Sequence, residues 1–274
     1  MFFLTLLDEF TKKYGQRHLV VFFEIVFYLS KRVKTKIGFH NYRNTKIDFS
    51  LKKFKKLCQQ YFLLEKPLAH ITKHTTFCHL DFLIKKKVLV PRQNTEKMTQ
   101  DFIRYFKKTK NRKVVDLCCG CGAVGLTIKK YLPTFQVNCI DKYFRPVINT
   151  KLNSQMLKLK IKVIKKDVFE YLAKQRQLDL IISNPPYVNK KTFKNKKMLR
   201  WESKKALFAQ NNGYAFYDYF FSWLEKHDFK QCWLEFGFEQ KRILKTKLKK
   251  IINLRYCFKK NNYVIIEQNR CKFN

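Results

Sequence analysis

The sequence predicts an α/β chain: a Rossmann-like, doubly wound sheet of seven strands, preceded by an N-terminal helical domain and a β-hairpin linker. Three observations carry this. From Lys113 onward, short β-branched runs alternate with helical stretches. Four successive runs end in a carboxylate or a carboxamide, at or just beyond the point where a strand leaves the sheet. Before residue 75, by contrast, apolar residues recur at helical spacing.

In the first part, Phe3, Leu6, Leu7 and Phe10 share one helical face, as do Val21, Phe22, Ile25, Val26 and Leu29. A basic stretch, Lys31 to Lys36, separates these from Phe54, Leu57, Cys58, Tyr61 and Phe62. The run Leu19 to Leu29 contains Glu24 and is too short to span a bilayer, so a core helix is expected. His70, His74 and His79 lack a cysteine or carboxylate at ligand spacing, and no metal site is expected there. Residues 76–91 break into strand-like runs (Phe77–Leu80, Phe82–Ile84, Val88–Val90), which suggests a hairpin linking residues 1–75 to residues 92–274. Asn94 or Thr95 is expected to cap the next helix, whose buried face carries Phe102, Ile103 and Phe106.

The sheet then reads in order. Val114–Leu117 is a strand, Cys118–Gly122 a tight loop, and Ala123–Tyr131 a helix stopped by Pro133. Gln136–Ile140 runs into Asp141, and Val147–Leu157 is helical. Ile161–Ile164 is followed by Asp167, and Leu178–Ser183 runs into Asn184. Helices around 214–224 and 240–250 separate strands at Cys232–Phe236, Arg255–Phe258 and Tyr263–Glu267. The last two flank a turn, Lys259–Asn262, which predicts an antiparallel edge.

Chemistry concentrates at Asn184-Pro185-Pro186-Tyr187. Proline fixes φ and lacks an N–H, so this is a stiff extended turn at a strand's carboxyl end. The Asn184 amide oxygen and the Pro185 carbonyl are acceptors that can hold both hydrogens of a planar –NH2 group. The Tyr187 ring can lie on the flat face of its parent amide or base. Asn184, Pro185 and Tyr187 are therefore the candidate catalytic residues, and with Pro186 the candidate substrate site.

Gly120-Cys121-Gly122-Ala123-Val124-Gly125 matches a dinucleotide fingerprint, and Asp141 can accept from ribose hydroxyls, which is compatible with NAD. Asp116 before the loop and Asp167 after the third strand favour S-adenosyl-L-methionine instead. The first can hold the methionine end, and the second can accept from an adenine amino group under the apolar cover of Val168 and Phe169. The plainer reading of each Asp is a helix cap. Cys118, Cys119 and Cys121 stand where small residues fit and are not read as metal ligands. The candidate cofactor residues on this reading are Asp116, Gly120, Gly122, Asp141, Asp167 and Val168.

Among 274 residues, 59 Lys+Arg against 20 Asp+Glu give a net charge of +39, which suits a polyanionic partner such as RNA. The abundance of Lys, Phe, Asn and Ile is equally what AT-rich codons give. Nine scattered cysteines, and a start (Met1-Phe2-Phe3-Leu4) without a basic n-region, point to a reducing cytoplasmic setting. Adenine-N6 or guanine-N2 methylation of DNA or RNA would use the same Asn-Pro-Pro-Tyr loop.

Longer stretches narrow the reading. Pro67-Leu68-Ala69-His70-Ile71 resembles P-L-A-Y-I, and Val90 to Glu96 resembles I-P-R-P-x-T-E. Asp116 to Gly122 resembles D-L-G-T-G-x-G, and Ser183 to Val188 resembles S-N-P-P-Y-[IV]. Glu202, Ala206-Leu207-Phe208 and Gly213 to Tyr217 follow a further segment, and Glu235-Phe236-Gly237 with Gln240 resembles E-x-G-x-x-Q. Over about residues 65–270 the chain thus resembles the peptide chain release factor glutamine methyltransferases of the HemK/PrmC type. The resemblance implies a class I methyltransferase fold using S-adenosyl-L-methionine, a helical domain that engages a release factor, and Cys118, Cys119, Gly120, Cys121, Gly122, Asp141, Asp167, Val168 and Asn184 facing the cofactor; a monomer is expected. The resemblance also implies methylation of the glutamine side-chain nitrogen in a Gly-Gly-Gln loop. The sequence departs from the pattern at Cys118 (normally Gly), Gln93 (Pro), His70 (Tyr) and Gln210–Asn212, and Cys118 demands a loop φ that tolerates a β-carbon.

Overall fold

The computed structural model describes residues 1–30, 44–193 and 200–269. The basic stretch Lys31 to Lys36 lies outside them. The chain forms two compact units, Met1–His74 and Thr75–Asn274.

The first unit is helical. α1 (Phe3–Tyr14) buries Phe3, Leu6 and Phe10, and α2 (Leu19–Leu29) buries Val21, Phe22, Ile25 and Val26. α3 (Leu51–Phe62) buries Phe54, Leu57 and Cys58 and is capped by the Ser50 hydroxyl, which accepts from the Lys53 amide. α4 is the short Leu68–Thr72. The Phe10 ring sits 5.1 Å from Phe22, 6.2 Å from Phe54 and 6.0 Å from Phe62, so one residue joins α1, α2 and α3. Burying each such ring stabilises the unit by roughly 1.5–3 kcal/mol. The apolar run 19–29 is thus the core helix its Glu24 and length require. Among the described residues no helix is long and apolar enough to cross a membrane.

A hairpin follows, β1 (His74–Phe77) and β2 (Leu80–Leu83), which belongs to the second unit from Thr75 on and turns through Cys78 and His79, both at positive φ. Val88–Val90 does not continue it as a strand. Val88 is fully buried there, and the Val90 amide donates to Glu202 Oε1. α5 spans Gln93–Phe106 with Arg92 at its N-cap position, so Asn94 and Thr95 are not caps but first-turn residues. The Thr95 hydroxyl is drawn elsewhere, to a carboxylate on a distant strand.

The sheet follows: β3 (Lys113–Leu117), α6 (Ala123–Tyr131), β4 (Gln136–Asp141), α7 (Phe144–Met156), β5 (Lys162–Lys165), α8 (Val168–Ala173) and β6 (Gln177–Ser183). After the short α9 (Lys204–Leu207) come α10 (Ala215–Lys226), β7 (Asp228–Glu235), α11 (Lys241–Lys249), β8 (Leu254–Phe258) and β9 (Tyr263–Gln268). The seven-stranded order is β5-β4-β3-β6-β7-β9-β8. β3 to β7 pair in parallel, and β9 is antiparallel to both its neighbours, which is the edge the Lys259–Asn262 turn predicts. On one face the buried rings of Phe216, Phe220 and Trp223 pack over the sheet residues Ile181, Cys232 and Leu234. The Trp223 indole N–H donates to the Leu172 carbonyl, so α10 is tied to α8 by a satisfied polar contact.

The chain crosses over β3 on its way from β5 to β6. That places the switch in strand order at the carboxyl ends of β3 and β6, where an open α/β sheet leaves a crevice.

Candidate active site

A cavity of about 890 Å³ opens at this crevice. Cys118, Gly120, Asp141, Asp167, Val168, Asn184 and Pro186 line it. The structure therefore brings together residues from all four strand ends.

One wall is the β3–α6 loop. Cys118, Gly120 and Gly122 hold φ of 61°, 60° and 80°. Glycine takes this region freely, whereas Cys118 takes it with a β-carbon and stores strain. A β-carbon on Gly120 would meet nothing within 4 Å, so backbone is bared on that side of the turn. The Asp141 carboxylate spans the loop: Oδ2 accepts from the Gly120 amide at 3.1 Å and Oδ1 from the Tyr143 amide at 3.0 Å. Burial pushes its pKa up to about 6, against the pull of the backbone amides around it. Asp167 has a double role: Oδ1 accepts from the Phe169 amide as the N-cap of α8, and Oδ2 pairs with Lys142 at 2.8 Å. Burial raises the Asp167 carboxyl, but the Lys142 ammonium and backbone amides outweigh it and leave its pKa lowered.

Asp116 stands apart. It is buried behind the loop rather than on the cavity wall, and its Oδ2 accepts from the Gly125 amide at 3.0 Å. Burial pushes its pKa up to about 7, the nearby Asp141 charge adds to this, and the Gly125 amide opposes it. Cys119, Cys121 and Gly122 also sit behind the cavity face. Cys119 lies 3.6 Å from the Thr150 hydroxyl, and the Cys121 carbonyl accepts from Asn153. Among the described residues no cluster of His, Cys, Asp and Glu is arranged to hold a metal ion.

The opposite wall is the loop after β6. Ser183 donates to the Leu117 carbonyl at 2.7 Å and locks the ends of β6 and β3 together. The Asn184 carboxamide donates to Thr95 Oγ1 at 2.8 Å, and Thr95 Oγ1 donates to Glu235 Oε2 at 2.6 Å. The Tyr187 hydroxyl donates to the other carboxylate oxygen, Oε1, at 3.2 Å. Burial pushes Glu235 up to about 7, with the Thr95 and Tyr187 hydroxyls and the Arg92 charge opposing. Burial and the Glu235 charge raise the Tyr187 phenol, which stays protonated and donates. The Tyr187 carbonyl is held as well. Gln240 Nε2 donates to it at 2.9 Å and to the Gly213 carbonyl at 3.0 Å. Gly213 has φ 95°, and a β-carbon there would collide with the Tyr187 carbonyl. Arg92 pairs with Glu202, which is fully buried. Pro185 and Tyr187 do not line the cavity; Pro185 is buried beneath it and the Tyr187 ring packs partly into the core.

Thr95, Glu235, Gln240 and Glu202 are the residues whose parts sequence reasoning did not reach. Each lies in a stretch that carries the family resemblance, but its partner is a long way along the chain, 140 positions for Thr95 and Glu235.

Strand order, the glycine-rich turn after the first sheet strand and the acidic strand tips define a class I methyltransferase fold. The methyltransferase small domain family matches residues 85–212. A solved T. thermophilus 16S rRNA methyltransferase shares the fold, with a TM-score of 0.50 and 15% identity over 72% of this chain and 50% of that one. The release factor glutamine methyltransferase of Buchnera aphidicola subsp. Acyrthosiphon pisum is 30% identical over 210 residues, which is 74% of this chain and 70% of the relative. The chain belongs to the release factor glutamine methyltransferase family. It is also 31% identical over 185 residues to the relative from Clostridium botulinum and 35% identical over 125 residues to that from Clostridium acetobutylicum. These matches cover 64% and 44% of this chain and span 65% and 44% of those relatives' own lengths.

Proposed function

We propose that this chain transfers a methyl group from S-adenosyl-L-methionine to the side-chain amide nitrogen of the glutamine in the Gly-Gly-Gln motif of peptide chain release factors, in support of translation termination. The observation that carries the proposal is the Asn184 carboxamide, anchored through its nitrogen on Thr95, on the wall of a cavity that Asp141 and Asp167 also line.

The residues fit a nucleoside-bearing cation. Asp141, Asp167 and Glu202 line the cavity together with Lys87, Lys142, Arg145, Lys204 and Lys205. Asp167 is paired with Lys142 and Glu202 with Arg92, whereas Asp141 is held by backbone amides and keeps its charge for a ligand. Asp141 would hold the ribose hydroxyls, Gly120 would let the ligand approach backbone, and Val168 and Phe169 would cover the base beside Asp167. When bound, the cofactor would supply an electrophilic methyl on a sulfonium centre, with S-adenosylhomocysteine as the leaving group.

The acceptor loop does the rest. The Asn184 oxygen, on the cavity wall, accepts one hydrogen of the glutamine amide, while Pro185 and Tyr187, set back from that wall, stiffen the loop that carries it. The lone pair of an amide nitrogen is delocalised into its carbonyl. An acceptor on its hydrogens stabilises the positive charge that develops on nitrogen, which favours the transition state over the ground state. Positioning therefore carries much of the rate, and the surplus proton leaves to solvent. The helical unit Met1–His74 would dock the protein substrate, and the chain would act as a monomer in the cytoplasm.

The test is incubation with methyl-labelled S-adenosyl-L-methionine and either an intact release factor, one whose motif glutamine is replaced, or structured RNA. Label confined to the motif glutamine is expected. Label on RNA, or none on the intact factor, overturns the proposal.

A further inference from the structure

Asn184 can present an acceptor to a substrate only if its carboxamide faces the right way round, and a carboxamide turned by half a rotation is nearly the same shape. The structure contains a device that decides between the two. Thr95 is buried, and its hydroxyl has one proton, which goes to Glu235 Oε2 at 2.6 Å. Its oxygen can then only accept from Asn184, so the –NH2 of Asn184 faces Thr95 at 2.8 Å and the carbonyl oxygen is turned away from it. Glu235 is itself buried at the last position of β7, and its second oxygen takes the Tyr187 hydroxyl. One carboxylate thus sets both the amide and the ring of the acceptor loop.

We infer that Thr95 and Glu235 are positioning residues that fix the rotational state of the Asn184 carboxamide, through a one-way chain of hydrogen bonds running from Asn184 to Thr95 to Glu235. The inference rests on the proposed glutamine methylation for its kinetic consequence, but the hydrogen-bond chain can be read without substrate. Direction depends on charge. An ionised Glu235 accepts from both hydroxyls. A protonated one must donate at one oxygen, and a donation to Thr95 frees the Thr95 proton to point at Asn184, which favours the turned amide. The groups facing Glu235 are Thr95 and Arg92 from the start of α5, Tyr187 from the loop, Tyr217 from α10 and Tyr263 across the ladder on β9. Tyr217 bonds the backbone carbonyl of Glu235, and Tyr263 bonds Asp101 instead. That leaves the two hydroxyls and the Arg92 charge to tune it.

The experiment compares wild type with Thr95→Val, Thr95→Ser and Glu235→Gln, reading kcat at saturating cofactor from pH 5.5 to 8.5 (about three units centred on the point where burial sets Glu235). Thr95→Val, which keeps the shape and loses the hydroxyl, is expected to lower kcat about 10²-fold with the KM for cofactor nearly unchanged. Thr95→Ser should restore most of that loss. Wild-type kcat should rise through about pH 7, and Glu235→Gln should remove that step. In parallel, the Asn184 side-chain amide resonance should shift with a midpoint near pH 7 in wild type and lose the shift in Thr95→Val and Glu235→Gln. A folded Thr95→Val protein with wild-type kcat, or an Asn184 resonance that titrates identically in all variants, overturns the inference. A wild type that methylates no glutamine overturns the functional reading alone, since the resonance still judges the hydrogen-bond chain.

Discussion

The two walls of the cavity are built on different principles. The β3–α6 loop is shaped by backbone: three residues at positive φ, amides gathered on Asp141, and a glycine open toward empty space. The loop after β6 is shaped by side chains that reach it from elsewhere: Thr95 from α5, Glu235 from β7 and Gln240 from the turn beyond it. Backbone shape responds to the size of a substituted residue. A side-chain network responds to loss of one donor and to protonation. The comparison teaches which perturbation each wall should feel.

The largest expected effect is at the acceptor wall. Asn184→Ala removes the amide oxygen itself, and turnover should fall about 10²- to 10³-fold while cofactor affinity measured by calorimetry falls far less. Near-normal methylation by that variant would erase the distinction between the walls. Gly213→Ala forces a β-carbon against the Tyr187 carbonyl at a φ that disfavours it, and should cost about 1–3 kcal/mol in chemical denaturation as well as activity.

The next effect is pH-dependent and belongs to the carboxylates. Asp116 is raised to about 7 and Asp141 to about 6 in the folded protein, above their unfolded values. The folded state therefore binds protons more tightly. The stabilisation this gives is fully present below about pH 4 and is lost as pH rises to about 7. Asp116→Asn should flatten that slope in denaturation midpoints. Binding of a cationic cofactor runs the other way and should strengthen from pH 5.5 to 7.5, a window about two units wide around the same groups. Equal affinity at both ends would separate these carboxylates from the ligand.

The smallest effect sharpens the comparison at the backbone wall. Cys118→Gly relieves a β-carbon held at φ 61° and should stabilise the fold by about 0.5–1 kcal/mol, with tighter cofactor binding. A drop in stability would show that the packing of the Cys118 side chain against the core outweighs the strain.

Legibility followed the range of the interactions. Strands such as Leu178–Ser183 could be read because β-branched runs and a Pro-Pro stop are local signals, and the bounds of α6 were legible from its glycine start and Pro133 stop. The cap expected at Asn94 or Thr95 failed because the cap position falls earlier, at Arg92, and a buried carboxylate on β7 captures the Thr95 hydroxyl. Val88–Val90 looked like a strand because it is apolar, but its burial is that of a loop tucked inward. Asp167 shows why a cap and a ligand contact could not be separated from sequence: the same carboxylate caps α8 and faces the cavity. The position of Asp116 behind its loop depends on the Gly125 amide turning toward it, and no local pattern announces that.

The late entry of β9 into the sheet has a consequence for synthesis. Glu235 sits opposite Tyr263 in the antiparallel ladder, so until residues 263–268 have been made one edge of β7 is bare and the backbone that carries its final carboxylate lacks half of its ladder. The loop after β3 rests on strands that all precede residue 263, whereas the backbone of Glu235 depends on one that follows it.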